Sequence, residues 1–150
     1  MIVETLLAAV HITAILTLVV FIASSAALCR PEWFNGAALE RLARLDLIYG
    51  LAAAAVLLSG LARSFWGMKG AEWYWGSPLL HLKLTLFVVV ALLSLQPTLA
   101  IRRWLKAFRA DGTLPPAEAI LRTRRQIMRQ AHLIPVIAIV AIFMARGWWH

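Results

Sequence analysis

Pro78–Ala100 reads PLLHLKLTLFVVVALLSLQPTLA, and its only fully charged side chain is Lys83. A bilayer core of roughly 30 Å needs about 20 apolar residues at helical rise, and this stretch supplies them. In hydrocarbon every backbone N–H and C=O must be paired within the segment, so the run predicts a membrane-spanning helix. A histidine and a lysine at the mouth of such a helix are costly to place there. His81 and Lys83 are therefore the first places to look for function.

Three further stretches have the same character, at about 2–28, 45–65 and 130–147. Together the four predict an all-α, integral membrane four-helix bundle forming one domain over residues 1–150. Composition agrees. The chain is 62% hydrophobic and 15% charged, whereas soluble domains average roughly half apolar and a quarter charged. Most side chains must therefore face lipid or one another. The first apolar run begins beside Glu4 and is longer than a secretory h-region, so it reads as a retained helix rather than a cleaved leader.

The net charge of +8 invites a nucleic-acid reading, but the charge is not spread as one. The segment 102–129 holds Arg102, Arg103, Lys106, Arg109, Arg122, Arg124, Arg125 and Arg129. Clustering beside apolar runs is a topology signal and places this loop in the cytoplasm, with the first loop beside it. Both termini and the second loop then lie outside a bacterial plasma membrane. Trp66, Trp73, Tyr74 and Trp75 in the second loop, with Trp148 and Trp149, read as an interfacial aromatic belt rather than a stacking site. The partners are the lipid bilayer, including anionic headgroups near the arginines, and no nucleic acid.

Local signals mark the connections. Arg30-Pro31 stops the first helix. Asp111-Gly112-Thr113-Leu114-Pro115-Pro116 reads as a turn, with Asp111 or Thr113 capping the next helix and the prolines in its first turn. The basic helix that follows is expected to run unbroken into the fourth span. Pro97 and Pro135 fall inside spans, where each removes a backbone hydrogen bond. Cys29 stands alone and reads as a small apolar residue at a helix end. In the second span, Gly50 with Ala54 and Ala55 with Ser59 form small-xxx-small pairs. They favour close helix packing, which also allows a homo-oligomer. Room for a flat cofactor is the sharper alternative.

The polar residues at depth fall into two groups. His11, about 13 Å into the first span at helical rise, joins Glu4, Arg63, His81 and Lys83 in the outer half. A membrane histidine either bonds a neighbouring helix or ligates a metal or haem. Glu4 is expected to pair with Lys83 or Arg63. Two residues of separation put His81 and Lys83 on different helix faces. The inner half gathers Asp46, Tyr49, Arg102, Gln130 and His132, with Asp46–Arg102 expected as a structural pair. His150 is expected to be solvated. Phosphate loops, CxxC, HExxH and GxSxG patterns are missing. Four scattered histidines without a Met-rich motif make copper handling weak.

The early His11, the opening His81-Leu82-Lys83-Leu84 and the later His132-Leu133-Ile134-Pro135 resemble HemJ-type protoporphyrinogen oxidases, which are small four-helix haem-binding membrane proteins. The acidic residue that the family carries before Ile-Pro is Leu133 here. Asp46-Leu47-Ile48-Tyr49-Gly50, Gly60-Leu61-Ala62-Arg63, Lys69-Gly70, Lys83 and Ser94-x-x-Pro97-Thr98 resemble a bacterial family of four-helix membrane proteins of unknown function. The first resemblance implies haem b, with His11 as an axial ligand and His81 or His132 as the second. It also implies Arg63 and Lys83 on propionates or substrate carboxylates, a porphyrin or electron-transfer partner, and a membrane oxidoreductase. The alternative is a non-catalytic transport or accessory subunit held by internal ion pairs.

Overall fold

A computed structural model describes residues 2–148. Trp149 and His150, assigned above to the aromatic belt and to solvent, lie outside the described residues. Four long helices dominate. They are α1 (Ile2–Leu28), α2 (Gly36–Trp66), α4 (Pro78–Asp111) and α5 (Ala117–Ala145), with a one-turn α3 (Ala71–Trp75) between α2 and α4. Each long helix contains an 18-residue window of mean hydropathy 1.9 or more, and little of each window is buried. Leu6, Leu16, Leu51, Leu58, Leu92 and Ile142 all point outward. A water-soluble bundle would bury such residues; here they form the lipid-facing surface. The protein is an all-α membrane bundle.

The helices run past their apolar stretches. α2 begins at Gly36, α4 continues to Asp111 and α5 starts at Ala117. The added turns are rich in Ala, Leu, Arg and Glu, which are good helix formers in water. Hydropathy marks the membrane portion of a helix and not its ends. Asn35 caps α2, its side chain accepting from the Ala38 N–H at 2.9 Å, as an N-cap should. Gly112 ends α4 at φ +78°, its N–H donating to the Phe108 carbonyl at 2.9 Å. Only glycine adopts that left-handed conformation without strain.

The start of α5 departs from expectation. Neither Asp111 nor Thr113 caps it. Asp111 Oδ1 accepts from the Thr113 N–H at 2.9 Å, closing a local turn, and Pro116 is itself the residue before the helix. The short carboxylate reaches two residues along, and two prolines in extended backbone separate it from the helix.

α1 packs most closely on α2, and α4 on α5. These two antiparallel hairpins meet more sparsely, through α2 with α4 and α1 with α5. The tightest core lies toward the basic end, where Leu39 and Leu42 are fully buried and Ile22, Cys29, Tyr49, Ile101 and Ile127 pack together. Cys29 donates weakly to the Ile120 carbonyl, and burial pushes its thiol up to about 11. It is a packing residue.

Candidate functional site

The looser contact between the hairpins leaves a cavity of about 400 Å³. His11 and Leu18 of α1 face it, as do Lys83 and Phe87 of α4 and Ile134 and Ala138 of α5. Its α2 wall mixes the small residues Gly50, Ala53, Ala54 and Gly60 with the larger Tyr49, Val56, Leu57 and Leu61. The small residues of α2 thus serve two faces. Ala52 and Ser59 are buried in packing, while the others open space. A Cβ on Gly50 would meet nothing within 4 Å, so that position borders the opening. A Cβ on Gly60 would stand 3.1 Å from His11 Cε1, so the glycine is what lets the imidazole lie close to α2.

The His11 ring is oriented by Ser59. Nδ1 lies 2.8 Å from Ser59 Oγ, and that hydroxyl lies 2.5 Å from the Ala55 carbonyl. Two oxygens at 2.5 Å need a proton between them, and a serine has one to give. The hydroxyl therefore donates to Ala55 and accepts from His11 Nδ1–H. In the neutral imidazole this leaves Nε2 as the unprotonated nitrogen, the form that ligates a metal or takes up a proton.

Lys83 is the cavity's cation. Among the described residues its ammonium has no carboxylate within 4 Å and no hydrogen-bond partner. A charge in a membrane interior is normally paired. Of the two partners expected for Glu4, Arg63 is the one it meets, at 3.6 Å, and Arg63 is not among the residues lining the cavity.

The other histidines lie elsewhere. His81 is exposed, and its Nε2 donates to the Trp75 carbonyl at 3.0 Å beside the Trp75 ring. His132 is exposed at the opposite end, its Nδ1 donating to the Met128 carbonyl at 2.6 Å. Of the three, only His11 lines the cavity. The tryptophans stay outside it as well. Trp73 packs on Tyr74 and under Lys69, and Trp75 on Phe65, as an interfacial cluster does.

Toward the basic end the cavity is bounded by Tyr49 and Thr98. Tyr49 donates to Gln130 Oε1 at 3.1 Å, and Thr98 to Asp46 Oδ1 at 2.9 Å. The expected Asp46–Arg102 pair does not form. Arg102 is exposed and lies beyond 4 Å, and the threonine one turn earlier on α4 takes its place. The remaining ion pairs, Glu40–Arg109 and Glu118–Arg122, lie at the basic end. Among the described residues, Glu4–Arg63 is thus the one pair near the cavity, and no three His, Cys, Asp or Glu side chains gather to hold a metal ion unaided.

Four lipid-facing helices around a largely apolar cavity match a family description across almost the whole length. Residues 3–148 fit the model of the family described as Predicted membrane protein (DUF2214). The chain belongs to the DUF2214 family. No curated protein and no solved structure matches it. What this DUF2214 protein does must be argued from its own residues. Of the residues singled out in the sequence, His11, Lys83 and Tyr49 line the cavity, and Asp46, Arg63, His81 and His132 do not. Ser59, which reads in the sequence only as a small residue, holds the His11 ring from 48 positions away.

Proposed function

We propose that this DUF2214 protein binds haem b in the cavity and is a membrane protein of redox type, similar to HemJ-type protoporphyrinogen oxidases. One observation carries the reading: an imidazole held through Nδ1 by Ser59 and an ammonium without a counter-ion share a single apolar cavity lined in part by small residues. A haem needs those three things. Its iron takes a histidine nitrogen, its propionates take cations, and its flat face takes a smooth apolar wall.

His11 would hold the haem iron, and Ser59 would fix its ring as outer partners of metal-bound histidines do. Lys83 would neutralise one propionate. His81 and His132 drop out of the ligand set, and Arg63, engaged by Glu4, drops out of propionate binding. When bound, haem supplies one-electron chemistry; the protein holds it, orients it and keeps water from it with Phe87, Ile134 and Ala138. A porphyrin substrate and an electron partner belong to the same reading. So does an orientation with the basic end in the cytoplasm of a bacterial cell and both termini outside.

Haemin titrated into detergent-purified protein tests this. A Soret band should grow to one haem per chain, vanish in His11→Ala, and need about tenfold more haemin in Lys83→Met. Absence of binding in the unaltered protein overturns the reading.

A further inference from the structure

A second concavity lies on the outer surface between α4 and α5, with a volume of about 540 Å³. Arg125, Met128, Arg129, His132 and Leu133 of α5 line it, with Arg124 beside them and Leu93 of α4 opposite. The α5 residues recur at intervals of three and four, so they form one stripe of the helix. No carboxylate lies in this lining. Arg125 and Arg129 are exposed, and among the described residues neither has an ion-pair or hydrogen-bond partner. Arg124 spends its Nε on the Ala26 carbonyl at 3.2 Å, which fixes the side chain and leaves its terminal nitrogens.

The depth of the groove follows from the α4–α5 register. Gln130 Nε2 donates to the Leu93 carbonyl at 3.3 Å, and Gln126 meets Gln96. From Pro78 to Leu93–Gln96 is about 22–27 Å at helical rise, close to the roughly 30 Å hydrocarbon thickness. The arginines therefore stand at the membrane boundary of the basic end, where lipid phosphates lie. Leu133 stands on its hydrocarbon side, and Leu93 and Met128 flank the arginines at the boundary itself.

We propose that this groove binds an anionic phospholipid. Arg125 and Arg129, supported by Arg124, take the headgroup phosphate, and Leu93, Met128 and Leu133 take the upper acyl chain. The chemistry recognised is a phosphate monoanion, and the apolar floor makes a lipid its source rather than free phosphate. Basic pockets between membrane helices bind anionic headgroups in this way. The site stands independently of the cavity and of haem.

Native mass spectrometry of the full chain in detergent reads this directly. Phosphatidylglycerol and phosphatidylcholine are offered at equal concentration. The unaltered protein should retain the anionic lipid about tenfold over the zwitterionic one. The Arg125→Gln/Arg129→Gln double variant should lose that preference. Arg103→Gln, on α4 outside the groove, should keep it. Equal retention of the two lipids overturns the proposal, and so does an equal loss in Arg103→Gln. Displacement of the lipid by inorganic phosphate would assign the groove to a free anion and also overturn it. The lipid and phosphate competitions use the unaltered chain, so they decide even if the double variant fails to fold.

Discussion

His11 derives its chemistry from two neighbours on α2. Ser59 accepts the Nδ1 proton and Gly60 gives the ring its space. Ser59→Ala removes the acceptor, frees the ring to rotate and should weaken haemin binding about tenfold, since outer partners of ligating histidines are worth about 10–100-fold. Gly60→Ala is a second test on the same ring. Helix propensity favours alanine by up to about 1 kcal/mol, yet its methyl group would press on the imidazole at 3.1 Å. Circular dichroism should show helicity retained or raised while the haemin titration shows weaker binding. Tyr49→Phe, by contrast, removes one hydrogen bond to Gln130. Such bonds between membrane helices average about 0.6 kcal/mol, so a melting curve should move little. His11 was legible because a histidine deep in an apolar run is rare. Ser59 was not, because nothing in a one-dimensional pattern pairs residues of different helices.

At the scale of elements, the apolar runs located the spans and the helix ends escaped them. Polar turns at Gly36–Arg44 and Arg102–Asp111 continue their helices because helix formation needs good backbone propensity, not lipid. The true stops are local. Asn35→Ala should cost about 1 kcal/mol through the lost cap. Gly112→Ala, at φ +78°, should cost about 1–2 kcal/mol through strain in the left-handed backbone. Both can be read in unfolding curves in detergent. The cap expected from Asp111 failed because two prolines intervene. The small residues of α2 read for packing or for a cofactor; Ala52 and Ser59 are buried in packing, while Gly50, Ala53 and Ala54 border the cavity.

For the whole molecule, two tight hairpins joined loosely produce both the cavity and the lipid-facing exterior. The composition foretold a membrane bundle; it carried no information on helix rotation, which decides which histidines meet. Cys29 is fully buried and its thiol is pushed up to about 11. A membrane-permeant maleimide should therefore leave the folded protein unlabelled, and a cysteine introduced at Lys106 should react only with cytoplasmic reagent if the basic end faces inward. In the proposed function one histidine, not two, holds a haem between the hairpins. Visible spectra of His11→Ala, His81→Ala and His132→Ala, each purified from haem-sufficient cells and checked for helicity, test it most directly. A Soret band is expected in the unaltered protein, His81→Ala and His132→Ala, and none in a helical His11→Ala. An undiminished band in His11→Ala, or its loss in either of the others, would contradict it.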